Sequence, residues 1–110
     1  MSKWTVDLVD AAKKELGNLP GDMQAKFLRI AEMLQEFGPQ GVGMPHVRSL
    51  GNKLWEMRMT GKDGIARAVY FLATGQSIRV VHIFVKKTRK TPAKAIDLAL
   101  ARMKEDQADG

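Results

Sequence analysis

Three segments of strand length, separated only by turn-forming residues, constrain this chain more than any other feature. Leu54–Met59, Ile65–Ala73 and Ser77–Val85 are rich in β-branched, aromatic or alternating apolar residues. Gly61-Lys62-Asp63-Gly64 lies between the first two, and Thr74-Gly75-Gln76 between the second and third. Such short connections join antiparallel neighbours, because a parallel partner needs a long crossover. The chain must therefore build around an antiparallel meander, and a minor strand is expected over His46–Leu50.

The flanks read as helix. Met23, Phe27, Ile30, Leu34 and Phe37 recur at steps of three and four, which gives one apolar helical face ended by Gly38-Pro39. Asp10 is expected to cap a shorter helix through Ala11, Ala12 and Leu16, stopped at Gly17-Asn18. Trp4, Val6 and Leu8 alternate with polar residues as a short first strand. Thr91-Pro92 offers a helix start, with Ile96, Ala99, Leu100 and Met103 on one face, and a polar tail expected to fray after Glu105. The expected fold is α+β over residues 1–110 as a single domain. A small antiparallel sheet carries an N-terminal helical hairpin on one face, with a C-terminal helix after it. The other sheet face is expected to lie open and to need a reason to be polar.

Charge supplies that reason. The net charge is +6, unevenly spread. Residues 46–104 hold thirteen basic and three acidic residues, whereas residues 1–45 are nearly balanced. A concentrated positive field suits a polyanion. The chain has no cysteine, and its two histidines lie far apart at 46 and 82. Disulfide frameworks and motif-spaced metal sites are thereby excluded, so no cofactor or metal is expected. No segment reads as a signal peptide or membrane span, and a cytoplasmic location with no membrane partner is expected.

Strand alternation puts Glu56 and Arg58 on one face and Trp55, Met57 and Met59 on the other. Arg67 sits between Ala66 and Ala68 in the next strand, an unusual place for a charge unless it has a partner or a task. Arg58, Arg67 and Glu56 are thus expected to form a charged cluster across paired strands; a plain Arg67–Glu56 ion pair is the alternative. Lys86-Lys87-Thr88-Arg89-Lys90 places four basic residues between the last strand and the final helix, suited to contacting phosphates. Lys53 adds a further candidate for contacting phosphates. His82 shares a strand face with Val80 and Phe84, as a packed core residue or an acid–base group. Tyr70 is either core or a surface for stacking a base.

Leu54–Lys104 resembles the RelE/HigB toxin family, in particular its phage-derived, HigB-like branch. The resemblance rests on LWEMR (54–58), ARAVYF (66–71), VVHIFVKKTRKTP (80–92) and AIDLALARMK (95–104). The first half matches in layout rather than in residues. The resemblance implies a type II toxin restrained by a cognate antitoxin, acting as a ribosome-dependent endoribonuclease on mRNA. It implies Arg58 and Arg67 as active-site residues on the sheet, with Lys87, Arg89 and Lys90 in the region of the later basic residues.

The expected chemistry is metal-independent attack of a 2′-hydroxyl on its own 3′-phosphate. It requires positive charge on the phosphate and groups that take and give a proton. Arg58 and Arg67 are expected on the phosphate, Glu56, Lys87 or His82 in proton transfer, and Lys86, Arg89, Lys90 and Lys53 on the RNA backbone. Two rival readings stand beside this one: a ParE-like toxin that inhibits gyrase, which shares the fold but should lack the polar cluster of Arg58 and Arg67, and a nucleic-acid-binding module without catalysis.

Overall fold

The computed structural model describes residues 4–43, 46–86 and 90–109. Its frame is the expected meander. β2 (Val47–Gly51), β3 (Leu54–Gly61), β4 (Gly64–Ala73) and β5 (Ser77–Lys86) pair antiparallel in sequence order. β1 (Thr5–Leu8) adds on the far side of β5 and runs parallel to it, giving the order β1-β5-β4-β3-β2. The sheet is therefore mixed, a correction to the purely antiparallel expectation. The reason is topological: β1 is separated from β5 by the helices and the whole meander, so no short turn dictates its direction.

α1 (Asp10–Gly17) and α2 (Gly21–Phe37) form the hairpin on one face. Met23, Phe27, Ile30 and Leu34 of α2 bury themselves with Ala12 of α1 against Met57, Met59, Ala66, Ala68, Tyr70, Ile78, Val80 and Ile83. Each large side chain so buried contributes roughly 1.5–3 kcal/mol before ordering costs are set against it. The entry of α2 is fixed by a close approach. A Cβ at Gly61 would lie 2.7 Å from Asp22 Oδ2 and 2.9 Å from Met23 Cγ, so only glycine leaves the helix room. Asp22 then accepts the Lys62 N–H at 3.1 Å and ties the helix to the hairpin turn.

α3 (Ala93–Asp109) crosses the opposite face, with Ala99 and Met103 on Leu54, Val69, Phe71 and Val81. The second face is thus partly covered, not open as expected, because Leu54, Val69, Phe71 and Val81 give it an apolar half of its own. α3 also runs past Glu105, where fraying was expected. Asp106 holds it down, accepting from Arg79 Nε at 3.1 Å and Nη2 at 2.5 Å. Asp10 is the first residue of α1 and not its cap; Val9 precedes the helix without a side-chain cap. An acid in the first turn still suits the helix dipole. No helix among the described residues is long and apolar enough to cross a membrane.

Candidate functional site

The meander register places Arg58 directly opposite Arg67, and Glu56 opposite Arg48 of β2. Alternation turns all four toward the α3 side, since their strand neighbours Met57, Met59, Ala66 and Ala68 line the hairpin core. Like charges directly opposite on paired strands destabilise a sheet. Glu56 offsets this. Its Oε1 accepts from Arg58 Nε at 3.1 Å and lies 3.8 Å from Arg48 Nε; its Oε2 lies 3.8 Å from Arg67 Nε. Thr91, on the approach to α3, closes the far side by donating its hydroxyl to Glu56 Oε2 at 2.6 Å. Among the described residues, one carboxylate thus answers three guanidiniums.

Exposure is graded across this cluster. The side chains of Arg67 and Glu56 are 0% exposed, Arg58 14% and Arg48 44%. Burial pulls the Arg67 guanidinium below its ordinary value; Glu56 raises it, and the neighbouring charges of Arg58 and Arg48 lower it further. The expected meeting of Arg58, Arg67 and Glu56 is observed, but Arg67 lies behind the others instead of facing solvent. Thr91 was expected to cap α3; its hydroxyl serves Glu56 instead. Arg48 and Thr91 are the members that sequence reasoning missed. Arg48 lay in the expected minor strand, and only the register reveals Glu56 as its neighbour.

His82 is elsewhere. A bulge between Val69 and Tyr70 of β4 and their β5 partners leaves Val81 as an extra residue, so His82 pairs with Val69 and Val80 with Tyr70. This corrects the shared face expected for Val80, His82 and Phe84: Val80 enters the hairpin core, whereas His82 stacks on Phe84 at 4.9 Å between centroids, and Phe84 packs with the α3 core. β1 ends opposite Val80, which leaves the β5 edge beyond it without a strand among the described residues. Glu15 of α1 fills the gap. It accepts the Ile83 N–H at 2.9 Å, sits 3.1 Å from His82 Nδ1 and accepts from Arg102 Nη1 of α3 at 2.9 Å. Burial alone would raise the Glu15 carboxyl; the bonds from Arg102, Ile83 and His82 outweigh it and hold the group below its ordinary value. His82 is therefore tied to a structural junction, apart from Glu56 and its arginines.

The other candidates divide similarly. Tyr70 lies on the hairpin side, fully buried, which pushes its hydroxyl above the ordinary value. Lys53 sits in the β2–β3 turn with φ +69°, beside Trp55, Phe71 and Met103, at the opposite end of β3 from Arg58. Lys86 ends β5 on the Arg67 side of the sheet, opposite Ile65, and Lys90 is exposed just before α3. Lys87 and Arg89 lie outside the described residues. Among the described residues, no cluster of three or more His, Cys, Asp or Glu is arranged to hold a metal.

Residues 14–104 match the family described as "Phage derived protein Gp49-like (DUF891)". The chain belongs to this phage-derived Gp49-like family. The match spans both Glu15 and Glu56 and ends at Lys104, within α3. Among solved structures, the RelE toxin of E. coli, a mutant in the free state, is similar with a TM-score of 0.65 and 13% identity, over 92% of this chain and 98% of that one. A chain of the RelBE2 toxin–antitoxin complex from Mycobacterium tuberculosis is similar with a TM-score of 0.56 and 20% identity, over 76% and 99%. The family member described here thus has a RelE-like fold, in line with the resemblance carried by its second half. No curated protein matches the chain.

Proposed function

We propose that this chain is a type II toxin: an endoribonuclease that cuts mRNA on the ribosome and is restrained by a cognate antitoxin. The observation that carries the reading is the excess of guanidinium over carboxylate around Glu56. A purely structural ion pair gains nothing from a second and third cation facing one another across strands. A site that must grip a phosphodiester does, because its positive charge is complete only when an anion arrives.

The graded burial divides the labour. Arg58, with Arg48 beside it, reaches the surface and contacts the scissile phosphate. Arg67 and Glu56 stand behind as positioning residues that aim those guanidiniums. Glu56 has both oxygens engaged, so it anchors the cluster and is a poor choice as proton acceptor. Lys86 and Lys90, with Lys87 and Arg89 of the same basic run in the sequence, grip the RNA backbone, and proton transfer falls to this basic segment. Attack by the 2′-hydroxyl would leave a 2′,3′-cyclic phosphate and a 5′-hydroxyl. With weak acid–base groups, the rate depends on positioning, which a ribosome holding the message in a reactive shape supplies.

The test is brief induction of the chain in a bacterium, with transcript 5′ ends mapped against reading frame. Cuts locked to codon phase support the proposal; growth arrest with intact transcripts refutes it and favours a gyrase-directed toxin.

A further inference from the structure

A second basic feature lies one strand edge away from the Glu56 cluster. β2 pairs with β3 only as far as Met57, and the Arg58 N–H is taken by the His46 carbonyl at 2.8 Å. Beyond that point the outer edge of β3 has no strand partner among the described residues. α2 borders it instead, and a groove of about 310 Å³ opens between helix and strand. Its walls are Lys26, Arg29, His46 and Arg58, and its floor is Ile30 and Met33. The helical members follow from spacing: positions 26, 29, 30 and 33 fall on one stripe of α2. Among the described residues that line the groove, none is acidic.

We propose that this groove holds one nucleotide of single-stranded RNA, next to the phosphate gripped by Arg58. The inference rests on the RNA-cutting reading and names the path of the strand as it leaves the cluster. Three observations carry it. Arg58 touches both places: its side chain binds Glu56 at 3.1 Å on the α3 side, and the residue lines the groove at the outer edge of β3. The rim is cationic around an apolar floor, which matches a nucleotide: phosphate to Lys26 and Arg29, base against Ile30 and Met33, with His46 and guanidinium planes for stacking. The groove is also of the size that small-ligand clefts occupy, about 300–1,000 Å³. A duplex keeps its bases stacked inside, so only an unpaired strand presents a face to such a floor. A protein strand added to the β3 edge fits less well, because the Lys26 ammonium already donates to the Thr60 carbonyl that a docking strand would need.

The probe is an RNA tetranucleotide with 2′-O-methyl sugars, which cannot be cut by 2′-hydroxyl attack, titrated into the whole chain carrying labelled methionine methyl groups. Met33 is expected to shift on binding. The double variant Lys26→Ala, Arg29→Ala is expected to lose that shift, and its slope of log affinity against log salt should fall by about 0.7, the value for the one phosphate no longer neutralised. Lys13→Ala, Lys14→Ala on α1 should change neither. An unmoved Met33 with an unchanged slope overturns the groove, as does a Met33 shift produced by an oligoglutamate peptide and not by RNA. Cleavage assays on ribosomes separate this from the broader reading. Cutting with a silent Met33 sinks the groove alone; a Met33 shift without cutting leaves the groove and removes the nuclease.

Discussion

Glu56 and Glu15 each gather partners from several elements, yet they leave opposite balances behind. Glu15 sits where α1, β5 and α3 meet. Its partners are one arginine, one histidine and a backbone N–H that the short β1 leaves unpaired. Every group there is answered, and the junction closes an otherwise bare strand edge. Glu56 is buried more deeply, and it faces three arginines of which two are cross-strand neighbours. The first carboxylate completes a fold. The second is outnumbered by the guanidiniums around it, and on that surplus the proposed phosphate-binding role rests.

The sharpest way to break this contrast is to remove the anchor. Glu56→Gln leaves three guanidiniums together with no compensating charge. A loss of about 3–5 kcal/mol in urea unfolding is expected, as for one partner removed from a buried ion pair. Sulfate should restore more stability to this variant than to the parent, because an anion can take the empty role. A loss under about 1 kcal/mol, below the usual range for such pairs, would mean the arginines do not depend on Glu56.

Glu15→Ala should cost less, about 1–3 kcal/mol, the penalty for buried donors left without an acceptor. Its signature is pH dependence. The folded carboxyl lies below the ordinary 4.5, so it contributes stability above that value and loses it as the pH falls through the lower folded value. Glu15→Gln should flatten the acid side of the stability curve. If the curve keeps its full slope, some other carboxylate governs the acid limb.

The smallest effect is expected at the end of α3. Asp106→Asn weakens a partly exposed pair with Arg79 and should cost about 0.2–1 kcal/mol. Amide exchange should quicken over residues 105–109 only. Faster exchange reaching β5 would show that this pair supports the sheet as well.

Much of this contrast was legible in the sequence, and the illegible part has identifiable causes. Period-two alternation and the 61–64 turn fix Arg58 against Arg67, because a hairpin sets its own register. The recognised blocks from Leu54 onward led to the right fold. The depth of Arg67 was hidden, since neither periodicity nor charge reveals that the approach to α3 lays Thr91 over Glu56. The bulge at Val81 was hidden too, for no glycine marks it, and it split Val80 from His82 and Phe84, which were expected in one row. Glu15 carries no motif; its role arises only because β1 stops short of the edge it protects. Arg48 needed the β2 register to be joined to the cluster.

The central claim is that guanidinium surplus around Glu56 grips the phosphate being cut. It is tested by cleavage of a defined message on purified ribosomes with Arg58→Ala, Arg58→Lys and Glu15→Gln. Loss of an electrostatic stabiliser of this kind costs about 10²–10³ in rate. That drop is expected for Arg58→Ala, with partial recovery for Arg58→Lys and parent-like cutting for Glu15→Gln. Parent-like cutting by a folded Arg58→Ala variant contradicts it.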